Sequence, residues 1–337
     1  MENCNKIIPP HLNAEAYRTC IPEINTRSYF DYIHINAEGT SLIGCSELTG
    51  RNWNGAVSVC SKWSDKKSRM PPKKDIDLTS GSADGCFIDS SYKVLLGEDS
   101  GALSIWSTAV NAWDNWIEEM SVAEHDGAVL ALDCLVPGQE YVTVGEDGNM
   151  KVWDISDLIC VRNYVGAHSR AIYDVSVRPQ SDANLATGSL DYYASLWDHN
   201  IAKPVLDLAK NDCGIRCLQW LDENRLFFGD EAGALSMIDV RTPKHVTKLT
   251  EFPAPVHKIC CQSGSDRVSV CCDNNVLSVY EFDEDCKLKM IYENSRLHNN
   301  NIRGMAWDVE DKNVLHTVGW DSEIRVHNIG SADPRVC

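Results

Sequence analysis

A chain of 337 residues with 43% apolar content and ten tryptophans can build a substantial core, which excludes a disordered protein. Its formal charge of −18, from 49 acidic against 31 basic residues, argues against direct contact with nucleic acid or an anionic membrane and favours basic partners. No apolar run approaches the ~18–20 residues that span a bilayer, and fifteen cysteines with no CxxC spacing read as buried thiols of a reducing compartment rather than a zinc or disulfide framework.

Residues 1–25 contain prolines, lack apolar patterning and lack a secretory leader layout, so a partly disordered tail is expected. A strand between Tyr17 and Arg27 is available to close a circular array from the opposite terminus. A first unit follows: a strand over Tyr29 to Asn36, a turn at Glu38-Gly39, and a strand over Ser41 to Ser46. Glu47 to Asn54, ELTGRNWN, reads as an oversized turn, and Ala56 to Trp63 resumes the strand pattern. The stretch 64–75, SDKKSRMPPKKD, is basic and Pro-rich and is expected to be a solvated loop.

Six further units repeat one layout, seen most fully in Thr143 to Asp154, TVGEDGNMKVWD, and in Ala186 to Asp198, ATGSLDYYASLWD. Weaker copies lie at Leu95 to Trp106, Phe227 to Asp239 and His316 to His327. Taking Cys60, Trp106, Trp153, Trp197, Ile238, Tyr280 and His327 as closing positions gives steps of 46, 47, 44, 41, 42 and 47 residues. A period near ~40–45 with several short strands per unit predicts an all-β propeller, with seven four-stranded antiparallel blades over residues 26–330 and a short tail over 331–337.

A second register supports the repeat. His125 precedes Asp147 by 22 residues, and His168 precedes Asp191, and His298 Asp321, by 23; each Asp lies six residues before its closing position. This spacing resembles that of the WD-repeat family. There the His on the loop entering a blade meets the Asp of the tight turn, with Trp153 or Trp197 packed alongside in the matching positions here. Such pairs imply blade fastening rather than general-base chemistry. The fifth and sixth units have Ala232 and Asn274 at the Asp position, so those blades are expected to be held mainly by packing. No nucleophile–base set, HExxH or phosphate-cradling loop is present; GEDSG and GEDG are turns that open no helix. A binding platform without catalytic residues, metal or cofactor is therefore expected.

LIGCSELTGRNWNGAVSV, FGDEAGALSMID and TVGWDSEIRVH resemble the methylosome WD-repeat subunit, the propeller partner of the arginine methyltransferase that forms symmetric dimethylarginine. The resemblance spans Tyr29 to Ile329. It implies that Trp53, presented by Arg51 and Asn52, inserts into the barrel domain of the methyltransferase. It also implies a hetero-octamer of four enzymes and four propellers, a cytoplasmic and nuclear location, and basic Arg/Gly-rich substrates: spliceosomal Sm proteins and histone tails. An acidic disc would steer such substrates. Two alternatives stay open: a cullin-type ubiquitin ligase receptor, suggested by the Asp-x-Arg pattern ending at Arg241, and a histone-binding scaffold without an enzyme partner.

Overall fold

The computed structural model describes residues 29–49, 52–60, 73–109, 115–243, 245–283 and 287–330. They form seven antiparallel sheets arranged in chain order. Blade 1 holds β1 (Tyr29–Ile35), β2 (Ser41–Thr49), β3 (Asn52–Cys60) and β4 (Lys73–Leu78). Blade 2 holds β5 (Ser82–Phe87), β6 (Lys93–Glu98), β7 (Ala102–Ser107) and β8 (Ile117–Ala123). In blade 3 these are β9 (Val129–Val136), β10 (Glu140–Gly145), β11 (Met150–Asp154) and β12 (Ile159–Tyr164). In blade 4 they are β13 (Ile172–Val177), β14 (Asn184–Ser189), β15 (Tyr193–Asp198) and β16 (Leu206–Lys210). Blade 5 has β17 (Ile215–Trp220), β18 (Arg225–Asp230), β19 (Ala234–Asp239) and β20 (Val246–Glu251). Blade 6 has β21 (Val256–Cys261), β22 (Arg267–Cys272), β23 (Leu277–Phe282) and β24 (Leu288–Asn294). Blade 7 contributes three described strands, β25 (Ile302–Trp307), β26 (Val314–Gly319) and β27 (Ile324–Asn328). The outer strand expected between Tyr17 and Arg27, the tail 331–337 and most of the basic loop lie outside the described residues. Lys73 to Asp75, placed in that loop by their composition, instead begin β4 by pairing with Ser58 to Cys60.

The first strand of each blade packs beside that of the next, and β1 packs beside β25, so the first strands line a channel and the sheets close into a ring. Each middle strand has neighbours on both faces and reads as a nearly continuous apolar run; ALSMID of β19 is buried over its first five residues. Outer strands face water on one side, as in IEEMSVA of β8. The core therefore lies between blades. One cluster joins Val142, Val144 and Met150 of blade 3 to Ile172, Leu185 and Trp197 of blade 4. Another closes the ring through Phe30, Ile33 and Ile43 against Val318. The pairing also shifts the first blade's closing position. In blades 2 to 7 the closing residue faces the second residue of the strand before it, as Trp153 faces Tyr141; in blade 1 that place belongs to Val59, opposite Leu42, and not to Cys60.

Buried carboxylates staple consecutive blades at the channel. The register of β5 slips between Ser82 and Asp84, and that of β13 between Ile172 and Asp174. Asp84 accepts the Leu132 N–H of the next blade at 3.0 Å. Asp133 accepts Val177 N–H at 2.7 Å, and Asp174 accepts Leu218 N–H at 2.9 Å. Each carboxylate also caps the N–H that follows it in its own strand. An orphaned buried N–H costs about as much as a lost hydrogen bond, so these acids satisfy donors that irregular inner strands leave open. Burial pushes all three up, Asp133 to about 6.

Candidate partner-binding hairpin and channel face

The turn between the second and third strands is short in six blades. Their ladders end at Gly97–Leu103, Val144–Met150, Gly188–Ala194, Gly229–Leu235, Cys271–Leu277 and Val318–Ile324. The matching rung of blade 1 is Cys45–Ala56, and the ladder continues through Ser46–Gly55, Glu47–Asn54, Leu48–Trp53 and Thr49–Asn52. This corrects the oversized turn expected over Glu47 to Asn54: those residues extend β2 and β3 into a projecting hairpin. Leu, Thr and Trp suit a pleated strand, and only Gly50 and Arg51 separate the two strands, the length of the tightest hairpin connections. The backbones of Asn52 and Trp53 belong to β3. Arg51, and the side chains of Asn52 and Trp53, lie outside the described residues.

The base of the hairpin is fixed. A Cβ on Gly55 would stand 2.5 Å from the Ser80 carbonyl oxygen, so the strand lies hard against the connection into blade 2. Ser46 donates its hydroxyl to Asp31 at 2.5 Å, and Asp31 accepts Trp320 Nε1–H at 2.9 Å. Trp320 belongs to the corresponding turn of blade 7. The hairpin thus rises from the face that carries the second-to-third strand turns, tied across the seam where the ring closes.

On the same face, the structure brings together His125 with Asp147, His168 with Asp191, and His298 with Asp321, each through His Nδ1 at 3.0 Å. A threonine completes each set: Thr143, Thr187 and Thr317 meet the Nε2 atoms of these histidines at 2.8, 2.7 and 2.7 Å. Trp153 and Trp197 donate Nε1–H to Thr143 and Thr187 at 2.8 Å. A threonine oxygen that accepts from Trp gives its proton to His Nε2, which fixes His as the Nδ1–H tautomer donating to Asp. In blade 7, His327 replaces Trp: its Nε2 lies 2.8 Å from Thr317 Oγ1, and its Nδ1 lies 3.0 Å from the Tyr292 hydroxyl. The same polarity runs from Tyr292 through His327, Thr317 and His298 to Asp321. These histidines are buried, and burial lowers His125 and His298 from the ordinary histidine value. A general base must reach substrate; here both ring nitrogens are occupied within the blade.

Packing alone does not hold the blades that lack the pair. In blade 5 the acid sits two residues earlier: Asp230 accepts Ala232 N–H at 3.0 Å, Ala234 N–H at 2.8 Å and Asn211 Nδ2–H at 2.9 Å. Blade 2 uses Glu98 at the same place, accepting from Ser80 and Ser104 at 2.9 Å, while Trp106 donates to Ser104 at 3.1 Å. In blade 6, Asn274 caps Val276 N–H at 2.9 Å and Asn275 donates to the His298 carbonyl at 3.1 Å. The threonines carry a sequence signal, since each lies four residues before its Asp. The displaced acids leave the spacing and carry none.

At the channel mouth, Lys258 Nζ stands 3.7 Å from Asp174 Oδ1, whose charge with that of Asp84 raises the lysine and keeps it protonated. Arg303 lies over the Trp320 ring at 4.5 Å and bonds Asp273 at 3.0 Å. Arg216 lies over Tyr173 at 4.8 Å. Away from this face, Arg241 is tied to Asp239 through Nε at 2.9 Å. Among the described residues no cluster of three or more His, Cys, Asp or Glu side chains is placed to hold a metal ion.

Ring closure, blade architecture and the His–Thr–Trp sets define a seven-bladed WD-repeat propeller. The WD domain, G-beta repeat model matches residues 118–154 and 159–198, which are outer-strand-to-closing-strand segments of blades 2 to 4. Over 310 residues, 89% of each chain, the protein is 24% identical to methylosome protein WDR77 of Xenopus laevis. It is also 25% identical over 114 residues to myosin heavy chain kinase C of Dictyostelium discoideum, a match that covers 34% of this chain and 14% of that kinase. Over most of its length the chain is thus similar to a methylosome WD-repeat protein.

Proposed function

We propose that the chain is the non-catalytic adaptor of a methylosome: it binds and stabilises a type II arginine methyltransferase through the blade 1 hairpin. The carrying observation is the ladder from Ser46–Gly55 to Thr49–Asn52, which no other blade has. A projecting hairpin with a Trp near its tip offers a large, rigid apolar side chain at low entropic cost, the kind of residue that dominates interface energies. Trp53 is the inserted anchor, and Arg51 and Asn52 present it. The −18 charge suits the second half of the role, holding basic Sm-protein and histone tails near the enzyme. Four propellers would stand around four enzymes, in cytoplasm and nucleus. Affinity purification of the full chain followed by mass spectrometry tests this: a methyltransferase in equimolar yield is expected, and a monomeric chain without one would refute it.

A further inference from the structure

The channel mouth has a surplus of hydrogen-bond donors. A cavity of about 300 Å³ opens there, lined by Asp31, Asp84, Asp174, Arg216, Lys258 and Arg303 together with Tyr173 and Trp320. Its acids are committed. Asp31 receives Ser46 and Trp320, and Asp84 and Asp174 each receive two backbone N–H groups. Asp99 stands on the blade 2 rim, across the ring from the cations. The cations are under-used. The Arg216 guanidinium makes no hydrogen bond among the described residues, and its nearest acid, Asp273, is 3.7 Å away. Lys258 reaches Asp174 only at 3.7 Å. Arg303 shares the same Asp273 at 3.0 Å. His257 donates Nε2–H to the Arg303 carbonyl at 3.0 Å and is kept neutral, lowered by burial and by the arginines.

The charges that line the cavity come from different blades around the ring. Arg216, Lys258 and Arg303 come from the first strands of blades 5, 6 and 7, whereas Asp31, Asp84 and Asp174 come from blades 1, 2 and 4. Stacking on Tyr173 and Trp320 fixes the planes of the two guanidinium groups, so little entropy is lost when their edges meet an acceptor. We propose that this mouth binds an oxyanion, a carboxylate or a phosphate group, carried on a protein segment. An oxyanion supplies charged acceptors to Arg216 and Lys258 at once, and such charge-assisted bonds are stronger than those a neutral carbonyl would make. Ser46 lines the cavity and anchors the hairpin, so a segment bound here lies on the hairpin's face.

The test uses the full chain alone and is independent of the adaptor reading. Three labelled peptides share a neutral Gly/Ala frame around a central phosphoserine, glutamate or serine, and fluorescence anisotropy measures their binding. The phosphoserine or the glutamate peptide should bind at least about tenfold more tightly than the serine peptide, and the stronger of the two identifies the oxyanion. Arg216→Gln should remove that preference and lower Tm by a few degrees at most, because the side chain gives up the Tyr173 stacking and the 3.7 Å approach to Asp273 but no hydrogen bond. Arg216→Lys should restore part of it by keeping the charge without the fork. Equal binding of the three peptides would overturn the proposal, as would a preference that survives Arg216→Gln.

Discussion

Thr187→Val tests whether the polar sets fasten the blades. Thr187 is fully buried; its hydroxyl lies 2.7 Å from His168 Nε2 and 2.8 Å from Trp197 Nε1. Valine keeps the shape and leaves no cavity, so the cost falls on two polar atoms stripped of their partner. His168 and Trp197 are themselves 5% and 2% exposed, so water cannot replace the hydroxyl. Each orphan costs about 1–3 kcal/mol, and the substitution should cost about 3–4 kcal/mol in urea unfolding. Thr242→Val, on an exposed turn, is the control and should stay within about 0.5 kcal/mol. In a Trp197→Phe background one orphan is already gone, so Thr187→Val should cost about 1–2 kcal/mol less than in the parent chain. A loss below about 1 kcal/mol, or strict additivity with Trp197→Phe, would refute the fastening role and leave blade 4 held by packing.

Burial, with His298 and His316 nearby, holds His327 down to about 3, against 6.5 in the unfolded chain. Below pH 6.5 the unfolded state gains a proton that the native state refuses, so this group withdraws stability as pH falls from 6.5 toward 3, about 1–2 kcal/mol at pH 5.5. Asp133, raised to about 6, acts in the opposite direction, so the readout is a difference between variants. His327→Trp, the residue of blades 3 and 4, should lose less Tm between pH 7.5 and 5.5 than the parent chain, and an equal loss would contradict the assignment. Asp230→Ala strips two backbone donors and Asn211 of their acceptor and should cost about 2–4 kcal/mol in blade 5, read as faster hydrogen exchange in β18 and β19. Gly101→Ala should cost about 1–3 kcal/mol, because φ is +83° and the new Cβ would stand 2.3 Å from the His125 carbonyl oxygen; an unchanged Tm would show that this turn relaxes freely.

The repeat was readable because Trp153-Asp154 and Trp197-Asp198 end strands whose neighbours keep a fixed count back to Asp147 and Asp191. Each polar set needs its members at set distances, so its geometry writes itself into spacing. The clamps of blades 2 and 5 escaped for the same reason: Glu98 and Asp230 sit two residues early and meet Ser80 and Asn211 instead of histidines. The blade 1 hairpin escaped because Gly50, Asn52 and Asn54 are turn-forming by composition, while the pairing of Leu48 with Trp53 is a tertiary outcome that local propensity does not encode. The inter-blade role of Asp84, Asp133 and Asp174 was hidden as well. Their partners are backbone N–H groups of the next blade, 44 to 48 residues away, and a backbone donor leaves no mark on sequence.

The central claim rests on Trp53. In a direct binding measurement between the purified chain and the arginine methyltransferase, Trp53→Ala should weaken the complex by about 2–4 kcal/mol, roughly 30- to 1,000-fold in Kd, with the propeller's own Tm unchanged. Full retention of binding and of substrate methylation by Trp53→Ala would contradict it.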